Sequence, residues 1–521
     1  MRWRAEGGAA LWLGAAVALG LLALNAGTLA AVLWRAEAPG RLAAADWAAV
    51  RFTLGQALVS AGLSVALAVP VARALARRRF VGRGLLITAL GAPFLLPTLV
   101  AVLGLLAVFG RGGVLNAGLG HLGLGPVGIY GPHGVVLAHV FFNLPLATRL
   151  ILQGWLAIPA ERFRLAAALG FMPRDIARHL ERPMLREVVP GAFVVIFLIC
   201  LTSFAVALTL GGGPRATTVE LAIYQAFRLE FDLARAGLLA VIQFALCAAA
   251  AGLAWGVARP SEFGAGLDRP VMRLDVGGWR LRAVDGLAIT LAAVFLLVPL
   301  GMVVARGLPH LAGLPAPVWA ATARSLGVAL ASTALCMGAA LALGLAVVRA
   351  GPRLSGALEG VGLTALAASP LVIGTGLFIV LFPLVRPGDL ALPVTALVNA
   401  AMALPFALRA LIPALRDIEA TQGRLAESLG LRGAARLRLV TWPRLRRPMG
   451  FGAGLAAALS MGDLGVIVLF ADPGAATLPL QVYRLMGAYR MDDAAGAALL
   501  LLMCSLALFW LFDRGGRLGR G

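Results

Sequence analysis

The sequence predicts an all-α, polytopic membrane protein built from two tandem six-helix halves. Three observations predict this fold: apolar runs recur along the whole chain, arginines gather on one side of them, and a long block repeats at a fixed spacing. The composition agrees, because 60% of the 521 residues are apolar and only 13% are charged. A soluble domain is about 45–50% apolar, so a soluble fold of this composition would expose too much apolar surface.

The apolar runs predict about twelve membrane spans, since a spanning helix needs about 20 mostly apolar residues. The first run exceeds the apolar core of about 7–15 residues in a signal peptide and lacks a convincing cleavage site, so we interpret it as a helix. The predicted spans are residues 9–34, 52–72, 84–110, 133–156, 188–210, 236–258, 284–305, 322–348, 360–385, 390–411, 449–471 and 494–512.

The net charge of +21 would suit nucleic-acid binding, because basic patches contact phosphates. The arginines nevertheless gather in the connections after spans 2, 4 and 10, all of which are cytoplasmic if the N-terminus is cytoplasmic. This positive-inside pattern predicts a multi-pass inner-membrane protein with both termini in the cytoplasm. We expect it to contact membrane lipid and not nucleic acid.

Several chemistries are excluded by residues that the sequence lacks. No lysine occurs anywhere, and a Walker-type phosphate loop needs its lysine, so the chain cannot carry that ATPase site. The four cysteines and five histidines show no metal-ligand spacing. The run from Gly118 to Gly123 matches a dinucleotide fingerprint but lacks the preceding strand and the following acid. The chain is therefore predicted to be no enzyme and to bind no cofactor or metal.

A block of residues recurs 260 positions later in the chain. Because each half has six predicted helices, the two copies are parallel, and transporters built from inverted repeats are disfavoured. The matched pairs are Pro145 and Pro405, Arg149 and Arg409, Ile158 and Ile418, Arg164 and Arg424, Gly170 and Gly430, Arg178 and Arg438, Pro183 and Pro443, and Arg186 and Arg446.

The repeat sets the predicted domain boundaries. Residues 1–51 form the first helix with its outer loop, and residues 284–321 form helix 7 with its outer loop. The two transmembrane domains are residues 52–258 and 322–512, with cytoplasmic connections at 157–187 and 416–447. A basic cytoplasmic linker, residues 259–283, joins the halves.

Each cytoplasmic connection predicts two short helices. Leucine and small residues favour a helix that Gly170 or Gly430 ends in a left-handed conformation. Pro173 suits the first position of the next helix. Pro183 and Pro443 are expected to break the segment before the chain re-enters the lipid.

These connections resemble the EAA signature of ABC-importer permeases, although arginine stands where the signature has glutamate. In that family the short helix docks in a cleft of a separate ATPase subunit, which uses the ATP. The alternative is an ordinary basic loop, which two copies in register disfavour. The resemblance implies docking residues Arg164, Ala166, Ala167, Gly170, Pro183, Arg424, Ala426, Glu427, Gly430 and Pro443.

Residues 137–146, 203–225 and 460–465 are similar to those of thiamine and thiamine pyrophosphate importer permeases, in the binding-protein-dependent transport inner-membrane component family. The resemblance implies two tandem type I ABC importer halves that import thiamine or its phosphates. It also implies a periplasmic substrate-binding protein and two ATPase subunits as partners. Because both halves lie in one chain, we expect a single copy to suffice. Permeases for ferric iron or other small solutes share this architecture and remain the alternative.

One acidic residue, Asp463, lies deep in an apolar run, where a charge is costly enough to indicate function. Thiamine carries a cationic thiazolium ring. We hypothesise that Asp463 faces the translocation path and offsets that charge. The alternatives are a structural pair with an arginine and a buried acid at a helix contact.

Four further residues are candidates for the substrate path. Ser203 belongs to it, and Glu220, Tyr224 and Gln225 follow the outer loop at 211–218 and would line the periplasmic gate. That loop either contacts the binding protein or is a simple connector.

An ion-coupled secondary carrier of the parallel six-plus-six kind is the competing function. Such a carrier should hold several intramembrane acids for protons, and one clear case is present.

Overall fold

The computed structural model describes residues 4–35, 42–91, 95–257, 277–366 and 369–517. Within these ranges the regular structure is entirely helical, which confirms the predicted all-α class. Most of the predicted linker at 259–283 lies outside the described residues.

The α-helices follow one another in chain order. They are α1 (Arg4–Arg35), α2 (Ala44–Arg77), α3 (Arg83–Ala89), α4 (Thr98–Phe109), α5 (Val114–His121), α6 (Pro132–Ala157), α7 (Ala160–Ala168), α8 (Pro173–Ile176), α9 (Arg182–Leu201), α10 (Ala205–Leu210), α11 (Val219–Tyr224), α12 (Leu233–Val257), α13 (Trp279–Gly307), α14 (Ala316–Arg349), α15 (Pro352–Leu363), α16 (Pro370–Leu381), α17 (Ala391–Ser428), α18 (Gly433–Arg436), α19 (Trp442–Met461), α20 (Ile467–Phe470), α21 (Leu478–Gly487) and α22 (Met491–Arg517).

Short 3₁₀ and π segments join several of these helices. The 3₁₀ segments are Pro214–Ala216, Leu308–His310, Thr364–Leu366, Pro387–Leu390 and Pro473–Ala475, and the π segments are Ala177–Glu181, Gln225–Leu229 and Leu437–Thr441.

Ten helices in the described ranges are long and apolar enough to cross a membrane, against the prediction of about twelve. The two predicted spans that fall short are 360–385 and 449–471. In the first, α16 has only 12 residues, because Pro370 begins a new helix partway along the apolar run. In the second, three arginines occupy the first turns of α19, and the helix ends at Met461.

The repeat seen in the sequence is present in the structure. Helices α18 and α19 begin 260 residues after α8 and α9, respectively. Helix α14 lies 272 residues after α2 at both ends. The spacing differs because the connection between α4 and α6, which contains α5, is longer than its counterpart between α16 and α17.

The first helix of each half packs on the opposite half. Helix α1 contacts α14 and α16, whereas α13 contacts α4 and α2. Two glycines at matched positions permit these contacts. A Cβ added at Gly104 in α4 would lie 2.6 Å from the carbonyl oxygen of Pro299, and one added at Gly376 in α16 would lie 2.6 Å from that of Thr28. The exchange ties the two halves together.

One apolar core joins the halves. Two smaller cores lie mainly in one half each, and each also includes residues of the other half's first helix, α13 in one and α1 in the other. At the joint, Phe378 of α16 packs edge-to-face on Phe227 and Phe470, with ring centroids 4.5 and 5.4 Å apart. The halves therefore form a continuous unit around their shared boundary.

Candidate coupling loops and translocation cavity

The glycines of the two matched connections, residues 157–187 and 416–447, end their helices as predicted. Gly170 has φ of 69°, and the N–H of Phe171 donates to the carbonyl of Ala166 at 2.9 Å. Gly430 has φ of 66°, and the N–H of Leu431 donates to Ala426 at 2.9 Å. A left-handed residue with this hydrogen bond forms the Schellman type of helix end, which glycine adopts at little steric cost. Both connections therefore turn sharply at the same place.

The expected breaks at Pro183 and Pro443 are wrong. Pro183 lies in the first turn of α9 and Pro443 in the first turn of α19, and each helix continues from the π segment before it. The N–H of Arg182 donates to the carbonyl of Ala177, five residues earlier, in the wider π spacing. Because each helical run is continuous, the wider π turn just before the proline is what accommodates a residue that lacks an N–H.

The two connections join their preceding spans differently. In the first half α6 ends at Ala157 and α7 begins after Pro159. In the second half α17 runs without a break through the matching position, which is Glu419. Proline lacks an N–H and its ring clashes with the preceding turn, so Pro159 accounts for the break. The first short helix is thus hinged to its span, whereas the second extends its span rigidly.

Ion pairs hold both connections against the membrane-spanning helices. In the first half Arg73 of α2 lies 2.6 Å from the buried carboxylate of Glu181, which also accepts from Trp155 Nε1 at 3.2 Å. In the second half Arg436 lies 2.7 Å from Glu419. The anchors differ in position, so the two connections are related but not identical.

Most of the predicted docking residues face outward. Ala166 and Ala426 are buried and hold each short helix against the protein. The exposed members are Arg164, Ala167, Gly170, Pro183, Arg424, Glu427, Gly430 and Pro443. The exposed residues lie at the same helix end in both copies of the repeat. This arrangement is consistent with two matching contact surfaces.

Sequence reasoning missed an apolar patch beside these residues. Leu165 and Leu169 are 61% and 62% exposed, and the matched Leu425 and Leu429 are 55% and 65% exposed. Residues four apart share one face of a helix, so each connection presents a leucine pair. We call these the lever leucines. An exposed apolar pair suits contact with another protein or with lipid. The four-residue spacing was a signal of it in the sequence.

A cavity of about 370 Å³ lies between the two halves. Its walls include matched positions of both copies: His139 with Asn399, Phe142 with Met402, Asn143 with Ala403, Leu146 with Phe406, and Ser203 with Asp463. Both copies of the repeat therefore contribute matched positions to the cavity wall, although the side chains at these positions differ in polarity and charge.

Hydrogen bonds fix the polar groups of the first half around this cavity. His139 Nε2 lies 2.7 Å from Ser203 Oγ, and its Nδ1 lies 3.4 Å from Ser60 Oγ. His139 thus bridges α2, α6 and the segment after α9. In the second half Asn399 Nδ2 donates to Ser460 Oγ at 3.0 Å.

Asp463 lines the cavity in the turn between α19 and α20. Its Oδ1 accepts the N–H of Gly465 at 3.2 Å. Its Oδ2 is buried and has no hydrogen-bond partner among the described residues. In those residues no arginine forms an ion pair with it, so the alternative of a structural arginine pair has no support.

Three of the five predicted path residues come together at this cavity: Asp463, Ser203 and Glu220. The other two do not line it. Tyr224 packs edge-to-face on Phe204, with centroids 5.4 Å apart, and Gln225 begins the π segment after α11.

Comparison with known proteins found no matching family model. The chain is 40% identical over 516 residues to the thiamine transport system permease protein ThiP of Brucella abortus (strain 2308), which covers 96% of this chain and 94% of that protein. It is 41% and 39% identical over 484 residues to the ThiP proteins of Salmonella typhimurium (strain LT2) and Escherichia coli (strain K12), which cover 90% of this chain and 89% of each relative. The similarity runs through both halves.

Proposed function

The chain belongs to the family of thiamine transport system permeases, and from this premise we propose how it moves its substrate. It is the non-catalytic, multi-pass permease subunit of a thiamine ABC transport system. The observation that carries this function is 40% identity over 96% of the chain, which includes both repeats and the cavity between them.

The cytoplasmic connections dock two ATPase subunits, one on each copy. Support comes from the exposed lever leucines and from the neighbouring exposed Arg164 and Arg424. The ATPase surface that receives them should be apolar at its centre, with acceptors for arginine at its edge. One copy of the chain supplies both docking surfaces, and ATP is hydrolysed on the partners. The chain itself needs no bound cofactor.

The arrangement in the membrane is two tandem type I halves of six helices each. Helix α16 is too short, and α19 too charged, to count as a membrane span by itself. Each crosses the membrane together with the segments next to it. The arginine-rich connections lie in the cytoplasm together with both termini. The outer loops, including residues 211–218, then face a periplasmic binding protein that delivers thiamine.

The cavity between the halves is the translocation path. Asp463 offsets the positive charge of the thiazolium ring through Oδ2, the buried oxygen that lacks a donor. An opposite charge is worth more in a dry cavity than in water, because screening is weaker there. Closure of the ATPase subunits would move both cytoplasmic connections, and the helices continuous with them would carry that motion to the cavity.

Reconstitution in proteoliposomes tests this function. The permease, its ATPase and its binding protein should import labelled thiamine only with ATP, whether or not a proton or sodium gradient is present. Import driven by an ion gradient without the ATPase would favour a secondary carrier. Import of ferric iron in place of thiamine would favour the related iron permeases.

A further inference from the structure

The central cavity contains a second carboxylate, which the sequence placed at the periplasmic gate. Glu220 lies in the first turn of α11, lines the same cavity as Asp463 and is 1% exposed. Its Oε1 has no hydrogen-bond partner in the described part of the chain. A buried carboxylate oxygen without a donor is costly, and a bound cation would remove that cost.

Both halves of the protein hold this carboxyl group in place. Its nearby polar partners are Gln243 of α12, in the first half, and Ser369, which precedes α16 in the second half. Both partners are fully buried. Ser369 Oγ accepts the N–H of Leu371 at 3.1 Å, so its O–H remains available to donate to the carboxylate. Glu220 is therefore positioned at the junction between the halves.

The repeat shows that the two carboxylates are not copies of each other. The residue that matches Glu220 in the second half, at the second position of α21, is the buried Pro479, and the residue that matches Asp463 in the first half is Ser203. Each half thus contributes one acid from a different element. Cavity residues from both halves can then contact opposite sides of one small cation.

We propose that Glu220 is the charge-selecting contact of the translocation path. Its carboxylate pairs with a planar organic cation, while Ser369 and Gln243 hold it in the required orientation. This inference rests on the proposed function and deepens it, because thiamine carries such a cation in its thiazolium ring. A neutral ring of the same shape would leave the carboxylate buried without a partner and would be disfavoured.

Glu220→Gln tests the proposal, since it keeps the shape and hydrogen-bonding capacity and removes the charge. Uptake of thiamine is compared with uptake of 3-deazathiamine, whose thiophene ring is neutral, at concentrations that saturate the binding protein. The variant and the wild-type permease are assayed with the same binding protein. The ratio of their uptake rates therefore reports only the effect of the substitution in the permease. Thiamine uptake should fall about tenfold or more, which corresponds to about 1.4 kcal/mol, and uptake of the neutral analogue should fall much less.

Two controls keep the result decisive. Glu187 is an acid on α9 that does not line the cavity. Glu187→Gln should therefore take up both thiamine and the neutral analogue at the wild-type rate. Ser369→Ala keeps the carboxylate but removes its partner from the second half, and should cause a smaller loss confined to thiamine. Equilibrium binding of both ligands to the permease–ATPase complex in lipid nanodiscs should show the same selectivity without the binding protein.

Equal losses for both ligands, or no loss for either, would overturn the assignment of Glu220. Wild-type complex that imports no thiamine would instead refute the proposed function, so the two failures are distinguishable.

Discussion

At the residue scale, the cavity depends on two acids that the repeat does not duplicate. Asp463 was visible in the sequence because it interrupts an apolar run. The position of Glu220 at the same cavity was not visible, because it depends on the approach of α11 to the start of α16, about 150 residues away in the chain. Periodicity describes neighbours on one helix and carries no information about such distant contacts.

Asp463→Asn should reduce thiamine uptake by roughly tenfold, because it removes a negative charge facing the substrate cation and keeps the side-chain volume. Assembly with the ATPase should be unchanged, as measured by co-purification. Asp389→Asn, at an exposed acid in the Pro387–Leu390 segment, is the control and should transport normally. Uptake kinetics equal to wild type in Asp463→Asn would remove Asp463 from the path.

At the element scale, the cytoplasmic connections show what local sequence can and cannot predict. The ends at Gly170 and Gly430 were predictable because a positive φ favours glycine within a single turn. The continuation through Pro183 was not, because a π turn before a proline and a helix break before a proline have the same residue pattern. The hinge at Pro159 agrees with the chemistry of proline but was not predicted, and comparison with Glu419 shows that the second copy lacks it.

The lever leucines should dominate ATPase binding. Leu165→Ser combined with Leu169→Ser should weaken binding of the ATPase by about 3 kcal/mol, or on the order of a hundredfold in Kd, because two buried leucines are lost. Binding to nanodisc-embedded permease by surface plasmon resonance measures this.

The matched variant, Leu425→Ser with Leu429→Ser, should weaken binding comparably. The control is Leu122→Ser with Leu124→Ser, at exposed leucines of the outer connection, which should leave Kd unchanged. Unchanged affinity in both lever variants would mean that the ATPase docks elsewhere.

Pro159→Ala should convert the hinge of the first connection into a continuous helix, because alanine restores the missing N–H. Spin labels at Leu156 and Ala167 then lie eleven residues apart, about 16 Å along one helix axis. Double electron–electron resonance should give the distance found for the matched pair Arg416 and Glu427 in wild type. If the distance in Pro159→Ala still differs from the distance between Arg416 and Glu427 in wild type, a feature other than Pro159 breaks the helix.

At the scale of the whole molecule, the exchanged first helices bind the halves together. The sequence predicted separate first helices at 1–51 and 284–321, but it could not show which half each helix covers. That choice depends on close contacts such as those of Gly104 and Gly376, where a helix carbonyl leaves no space for a side chain. The sequence around a glycine in an apolar run does not indicate which helix packs against that glycine.

Gly104→Val and Gly376→Val should each destabilise the protein by about 1–3 kcal/mol, because the added side chain meets backbone at 2.6 Å. Thermal unfolding of the purified protein in detergent measures the change as a lower Tm. Gly118→Val, at an exposed glycine of α5 with no atom within 4 Å of an added Cβ, is the control. Equal Tm values for all three variants would contradict the packing of α1 and α13 on opposite halves.

The central claim is that both cytoplasmic connections meet the ATPase. Ala167→Cys and Glu427→Cys place single thiols at matched, exposed positions, while Cys200, Cys247 and Cys336 are buried and Cys504 is partly buried. Crosslinking in the assembled complex should join each new cysteine to an ATPase subunit, and a membrane-impermeant thiol reagent applied from the periplasm should label neither. Labelling from the periplasm, or failure of both positions to crosslink to an ATPase, would contradict the account.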